Sequence, residues 1–168
     1  MKIDAAREIG RLSAIGALVI LIYSCSRETS MSSAPDPDAA LFAETTASGY
    51  TFYQGGNTLT GMGPHGNFKL RFNATAAAVL DGTGELPPGN SFPTGSVLVK
   101  DIQGGSGITL YAVMKKDPAN SNAGSGWLWA EYNPSGGVVV SVKSKGSGCV
   151  SCHSTSPNRD LVRTFDLH

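Results

Sequence analysis

Near its C-terminus the chain reads Cys149-Val-Ser-Cys152-His153, a C-x-x-C-H spacing. Two thiols so spaced can form thioether bonds to both vinyl groups of one porphyrin, and the adjacent histidine is then held beneath the iron as an axial ligand. The motif therefore predicts one covalent haem c per chain, with Cys149 and Cys152 as attachment residues and His153 as the metal ligand. Two plainer chemistries use the same residue types. A C-x-x-C pair can cycle between dithiol and disulfide, or supply half of a zinc site. The remaining cysteine, Cys25, lies far upstream, so no second pair completes a zinc ligand set. No βαβ pattern of the thioredoxin kind surrounds the motif.

A sixth iron ligand is harder to find. The tail Ser154–His168 contains no methionine. Met62 and Met114 lie upstream, where they read more simply as loop and core residues. His65, in the loop Gly63-Pro-His-Gly66, and His168, at the chain end, read more simply as surface residues. An iron without a sixth protein ligand is open to small molecules.

The elements that must position this motif are mostly strands. The chain has 168 residues, a length that suits one domain. Lys+Arg and Asp+Glu both total 13, which leaves no basic field for a nucleic-acid backbone. Charged residues are 15 % of the chain, under the roughly 25 % of an average soluble domain, and 40 % are hydrophobic, enough for a core. Asn67–Phe72 alternates apolar and basic residues and predicts a half-buried strand. Gly95–Ile102, Gly107–Met114, Gly126–Tyr132 and Val138–Val142 predict further strands, separated by Gly/Pro/Asn turns. Asp38–Ala47 and Ala74–Leu80 predict helices. The fold class expected is mainly β (α+β): an antiparallel sheet with a few short helices.

The first segment reads as an address. Lys2, Arg7 and Arg11 form a positive start, and the apolar stretch Leu12–Ser24, about 13 residues, fits a signal-peptide core. It is short of the roughly 20 apolar residues that span a bilayer. The stretch runs into Cys25, which resembles a bacterial lipobox cysteine that is lipidated and becomes residue one, although Tyr23 departs from the preferred small residue and an ordinary cleaved signal with an incidental Cys25 would read similarly. Lipidation would also account for the odd cysteine. The expected organisation is a signal at 1–24, a polar, proline-broken tether at 25–37 and a domain at 38–168. The expected location is the periplasm, anchored to the outer membrane.

Several blocks in order resemble the cytochrome P-460 and cytochrome c′-beta family. They are Pro64–Asn73, Phe92-Pro-Thr-Gly-Ser-Val-Leu-Val-Lys-Asp101, Gly126-Trp-Leu-Trp-Ala-Glu-Tyr132, and Cys149–His153 with Arg159-Asp-Leu-Val-Arg-Thr-Phe165. Together they cover most of the domain, and Asp101 stands where the family usually has Glu. The resemblance implies a mostly β homodimer with one five-coordinate haem per chain. It implies one of two chemistries. Cytochrome P-460 proteins oxidise hydroxylamine and nitric oxide at a haem cross-linked to a lysine, and pass electrons to an external partner. Cytochrome c′-beta proteins lack the cross-link and bind nitric oxide or carbon monoxide beneath an aromatic cap. A plain electron carrier is a third reading.

Lys100 matches the cross-linking lysine, and by the strand period it shares the face of Leu98. A solvent-facing lysine would read the same way. Phe92 matches the family's block phenylalanine and is a candidate for the distal wall, or else core. Trp127 and Trp129 share a strand face and would line the pocket or fill the core. Glu131 is a candidate proton acceptor, with Asp101 a second carboxylate nearby; both could equally be solvated strand residues.

Overall fold

The computed structural model describes residues 35–168; the signal segment, Cys25 and the tether up to residue 34 lie outside the described residues. Six strands form one antiparallel sheet whose order follows the chain. They are β1 (Thr51–Phe52), β2 (Phe68–Phe72), β3 (Val97–Gly104), β4 (Gly107–Lys116), β5 (Trp127–Tyr132) and β6 (Val138–Val140). Among the described residues four short α-helices accompany them: α1 (Pro37–Thr45), α2 (Ala74–Ala77), α3 (Cys149–His153) and α4 (Thr164–Leu167). This is the mainly β architecture that the strand and turn pattern predicts.

Both faces of the sheet are covered. Successive side chains of a strand point to opposite faces, and the two sets of buried residues follow that alternation. One face collects Phe68, Leu70, Phe72, Leu98, Met114, Trp127 and Trp129, packed against Tyr53, Phe92, Val162 and Phe165. The other collects Val97, Val99, Val113, Leu128, Ala130 and Tyr132, covered by Leu41 and Phe42 of α1. Phe42 meets the Tyr132 ring edge-on at 5.4 Å. Asp38 fastens α1 to the far end of the sheet by accepting from Val142 N–H at 2.7 Å and Ser141 Oγ–H at 2.6 Å.

The covered second face changes the reading of β2 and β3. The alternation in Asn67–Phe72 predicts basic residues facing water, yet Arg71 is buried. Its Nε–H donates to both oxygens of Asp101, at 2.9 and 3.0 Å, and its Nη1–H donates to Thr45 O at 2.8 Å. The guanidinium also lies over the Tyr50 ring at 4.5 Å. Asp101 is thus neither a solvated strand residue nor a carboxylate on the face of Leu98. It is half of a buried ion pair on the opposite face.

One polar side chain joins the early elements. Asn73 ends β2 and caps α2 by accepting from Ala76 N–H at 2.9 Å, a favoured N-cap arrangement. The same oxygen accepts from Val97 N–H at 3.0 Å, and the amide donates to Gly95 O at 2.9 Å. The expected Ala74–Leu80 helix closes after one turn, and the short edge strand β1 has no clear signal in the sequence.

Candidate functional site

The C-x-x-C-H motif forms α3, entered through Gly146 and Gly148 in left-handed backbone at φ +71° and +83°. Only glycine adopts that region freely. At Gly146 a second constraint applies: a Cβ there would run into the Trp129 indole. The close approach lets α3 lie against β5. The His153 ring then packs edge-on against Trp129, with centroids 4.8 Å apart.

The imidazole is oriented by one backbone carbonyl. His153 Nδ1 lies 2.7 Å from Leu161 O. A carbonyl can only accept, so Nδ1 carries the proton and Nε2 presents its lone pair. Burial pushes the His153 pKa down to about 4, opposed by the Leu161 carbonyl and assisted by the Lys100 charge. The ring is therefore neutral at ordinary pH. A neutral imidazole with its second nitrogen hydrogen-bonded is the form that binds a metal.

Facing α3, the sheet presents one cross-strand row. The register aligns Leu70, Lys100, Ala112 and Glu131 across β2 to β5. Lys100 and Glu131 therefore stand on the same face as Leu98 and Trp129. Among the described residues the Lys100 ammonium has no hydrogen-bond or ion-pair partner; it lies over the Phe68 ring at 4.2 Å. Burial lowers its pKa to about 8, with the Cys152 sulfur opposing and Arg163 adding to the shift. Glu131 accepts from His65 Nε2–H at 3.2 Å, and both side chains are partly buried.

These groups surround one cavity of about 310 Å³, within the range of small-molecule sites. Its walls are largely apolar, with Phe68, Leu70, Leu98, Met114, Trp129 and Val162. Cys149, Cys152 and His153 share it with Lys100, Glu131, His65, Arg163 and His168. Burial raises the Cys149 thiol pKa, and the Glu131 charge adds to the effect. Two buried polar atoms on residues lining the cavity, Arg163 Nε and Thr164 Oγ1, have no protein partner. Two thiols, an oriented neutral imidazole and an apolar wall fit a haem. Among the described residues no group of three or more His, Cys, Asp or Glu is placed to hold a metal ion.

Compared with protein families, residues 69–164, more than half of the chain, match cytochrome P-460. The chain belongs to that family. It is accordingly a c-type haem protein. A comparison with curated proteins finds none that matches.

In this cytochrome P-460 family member the candidate residues divide sharply. The structure brings Cys149, Cys152, His153, Lys100, Trp129 and Glu131 to one cavity. Phe92 and Trp127 do not line it. Phe92 is buried among Phe72, Trp127 and Phe165, so it fills the core behind the cavity instead of walling it. Trp127 is fully buried beside it. His65 and His168, read as surface residues from sequence, both line the cavity; so do Met62 and Met114. Met62 is nonetheless 71 % exposed, as a loop residue would be. Phe68 was recognisable only as an apolar strand position, yet it is the aromatic ring nearest the Lys100 amine. The Leu161 carbonyl is a backbone contact with no sequence signal.

Proposed function

We propose that this protein oxidises hydroxylamine or nitric oxide-type nitrogen compounds at one haem c. Cys149 and Cys152 would hold the haem through thioether bonds, and His153 Nε2 would ligate its iron. The bound haem supplies an iron with an open coordination position and accepts the electrons removed, which pass to an external redox partner. The observation that carries this reading is Lys100. Its side chain is half-buried in the cavity of the C-x-x-C-H residues, without a counter-charge among the described residues, and its lowered pKa leaves a neutral, nucleophilic fraction near neutral pH. That is the position and state required to be joined to a porphyrin edge.

The remaining side chains divide the work. Glu131 Oε1 or Oε2 takes the proton that a nitrogen substrate must lose, and His65 Nε2–H orients the carboxylate from the loop side. The apolar wall of Phe68, Leu70 and Leu98 keeps bulk water from the substrate.

A second reading is favoured by Phe68. Its ring lies 4.2 Å from the Lys100 amine, which would hold the ammonium by cation–π attraction instead of leaving it to react. The protein would then bind nitric oxide or carbon monoxide at an unmodified haem without catalysis. The absorption spectrum of the reduced protein, matured in a host that attaches c-type haem, separates the two. A strongly red-shifted Soret band that Lys100→Ala abolishes belongs to the enzyme. An ordinary high-spin spectrum, unchanged in Lys100→Ala, belongs to the gas-binding protein. A plain carrier with two protein ligands would respond little to carbon monoxide.

Export and lipidation at Cys25 complete the proposal, because haem is attached to C-x-x-C-H motifs outside the cytoplasm. The protein is then an outer-membrane lipoprotein facing the periplasm, acting as a homodimer.

A further inference from the structure

The segment after α3 is built around a residue the function described above does not use. Asp160 and Leu161 occupy consecutive left-handed positions, φ +51° and +68°, although neither is glycine. Such backbone is costly for residues with a Cβ, most of all for leucine, and persists only where its surroundings over-determine it. The surroundings here do so at every turn. Arg159 and Val162 exchange both backbone hydrogen bonds at 2.9 Å. Asn158 Oδ1 accepts from Leu161 N–H at 3.0 Å. Asp160 Oδ2 accepts from Phe92 N–H at 2.9 Å, and Asp160 Oδ1 accepts from Lys116 Nζ at 2.7 Å.

The Lys116–Asp160 ion pair is largely buried, with side-chain exposures of 15 % and 11 %. Lys116 ends β4, and its ammonium also lies over the Trp127 ring at 4.8 Å. Asp160 therefore ties the turn to the sheet and to the Phe92 backbone at once. The product of this anchoring is a single contact: Leu161 O meets His153 Nδ1–H at 2.7 Å.

We infer that Asp160 is a positioning residue that sets the iron's redox character, by clamping the Leu161 carbonyl onto His153 Nδ1 through its bonds to Lys116 and Phe92. The inference rests on His153 being the axial ligand in the reading above. A strong acceptor at Nδ1 makes the other nitrogen a better electron donor. It thereby favours ferric over ferrous iron and stiffens the iron–histidine bond. Loosening the clamp has the opposite effect on both.

The test compares haem-loaded wild type with Asp160→Ala, Asn158→Ala and Lys116→Arg. Midpoint potential and the iron–histidine stretching frequency are measured on each. Asp160→Ala should lower the ferric preference about tenfold, a rise of about 59 mV for one electron, and lower the stretching frequency. Asn158→Ala removes the Leu161 N–H acceptor, together with the Nδ2–H bonds to Ser154 O and Thr155 O, leaves the Asp160 bonds in place, and should move both readouts the same way by less. Lys116→Arg keeps a cation for Asp160 and should hold the wild-type values. An Asp160→Ala protein that fails to load haem leaves Asn158→Ala to decide. Wild-type potential and frequency in the loaded variants, or a fall in potential, would overturn the inference alone. A wild type that binds no haem would overturn the functional reading and this one with it.

Discussion

A lysine ammonium facing Phe68, Leu98 and Trp129 with no carboxylate beside it is an expensive arrangement. Burial lowers its pKa from 10.5 to about 8. At neutral pH the free amine is charged in both folded and unfolded chains, and burial of that charge destabilises the fold. Between about pH 8 and 10.5 the folded chain loses the proton that the unfolded chain keeps, so stability rises with pH across that window. Compared with Lys100→Met, the haem-free chain should recover about 2–3 kcal/mol over the window, measured by denaturant unfolding at pH 7 and pH 10.5. Cross-linked protein should show no such recovery, because its nitrogen no longer titrates. Glu131 gives a second prediction at this scale. Glu131→Gln keeps the shape and the His65 contact but removes the proton acceptor. Turnover should fall by about 10²–10⁴-fold while the absorption spectrum stays as in wild type. Unchanged turnover would remove Glu131 from the chemistry.

At the scale of elements, β3 carries the site on one face and a structural ion pair on the other. Lys100 and its neighbour Asp101 point to opposite sides of the sheet, the second onto Arg71. Removing one partner of a buried pair costs about 3–5 kcal/mol. Asp101→Ala should lose that much in denaturant unfolding and leave the haem spectrum unchanged. A spectral change would mean that the two faces are coupled.

The same strand shows what the sequence made legible. Period-two alternation puts Lys100 with Leu98, as the register has it, and the C-x-x-C-H spacing singles out Cys149, Cys152 and His153, which the structure brings to one cavity. Alternation also implied that Arg71 faced water, because it cannot register that α1 and Tyr50 cover the second face. Phe92 and Trp127 were candidates for the pocket because aromatic residues suit walls and cores alike. Only the packing of Phe92 against Phe165, and of Trp127 against Phe92, decides for the core. The clamp on His153 runs through a backbone carbonyl in left-handed backbone, which no residue-type pattern encodes.

Taken whole, the described residues form a meander in which each strand pairs with its sequence neighbour. This local topology leaves one face for α1 and the other for the cavity. The long C-terminal segment that closes the cavity carries the motif, the His153 acceptor and the cationic Arg163. Among the described residues no helix is long and apolar enough to cross a membrane. Membrane attachment in the proposal is assigned to Cys25 on its sequence context. Cys25→Ser should move the protein from the membrane fraction to the soluble periplasmic fraction while it still acquires haem; retention in the membrane would rule out the lipid anchor.

The most direct measurement is the absorption spectrum of the reduced wild-type protein beside that of Lys100→Ala, both matured in a host that attaches c-type haem. A strongly red-shifted Soret band in wild type, restored to the ordinary c-type position in Lys100→Ala, is the predicted result. Identical ordinary high-spin spectra from the two proteins would contradict the cross-linked, nitrogen-oxidising account.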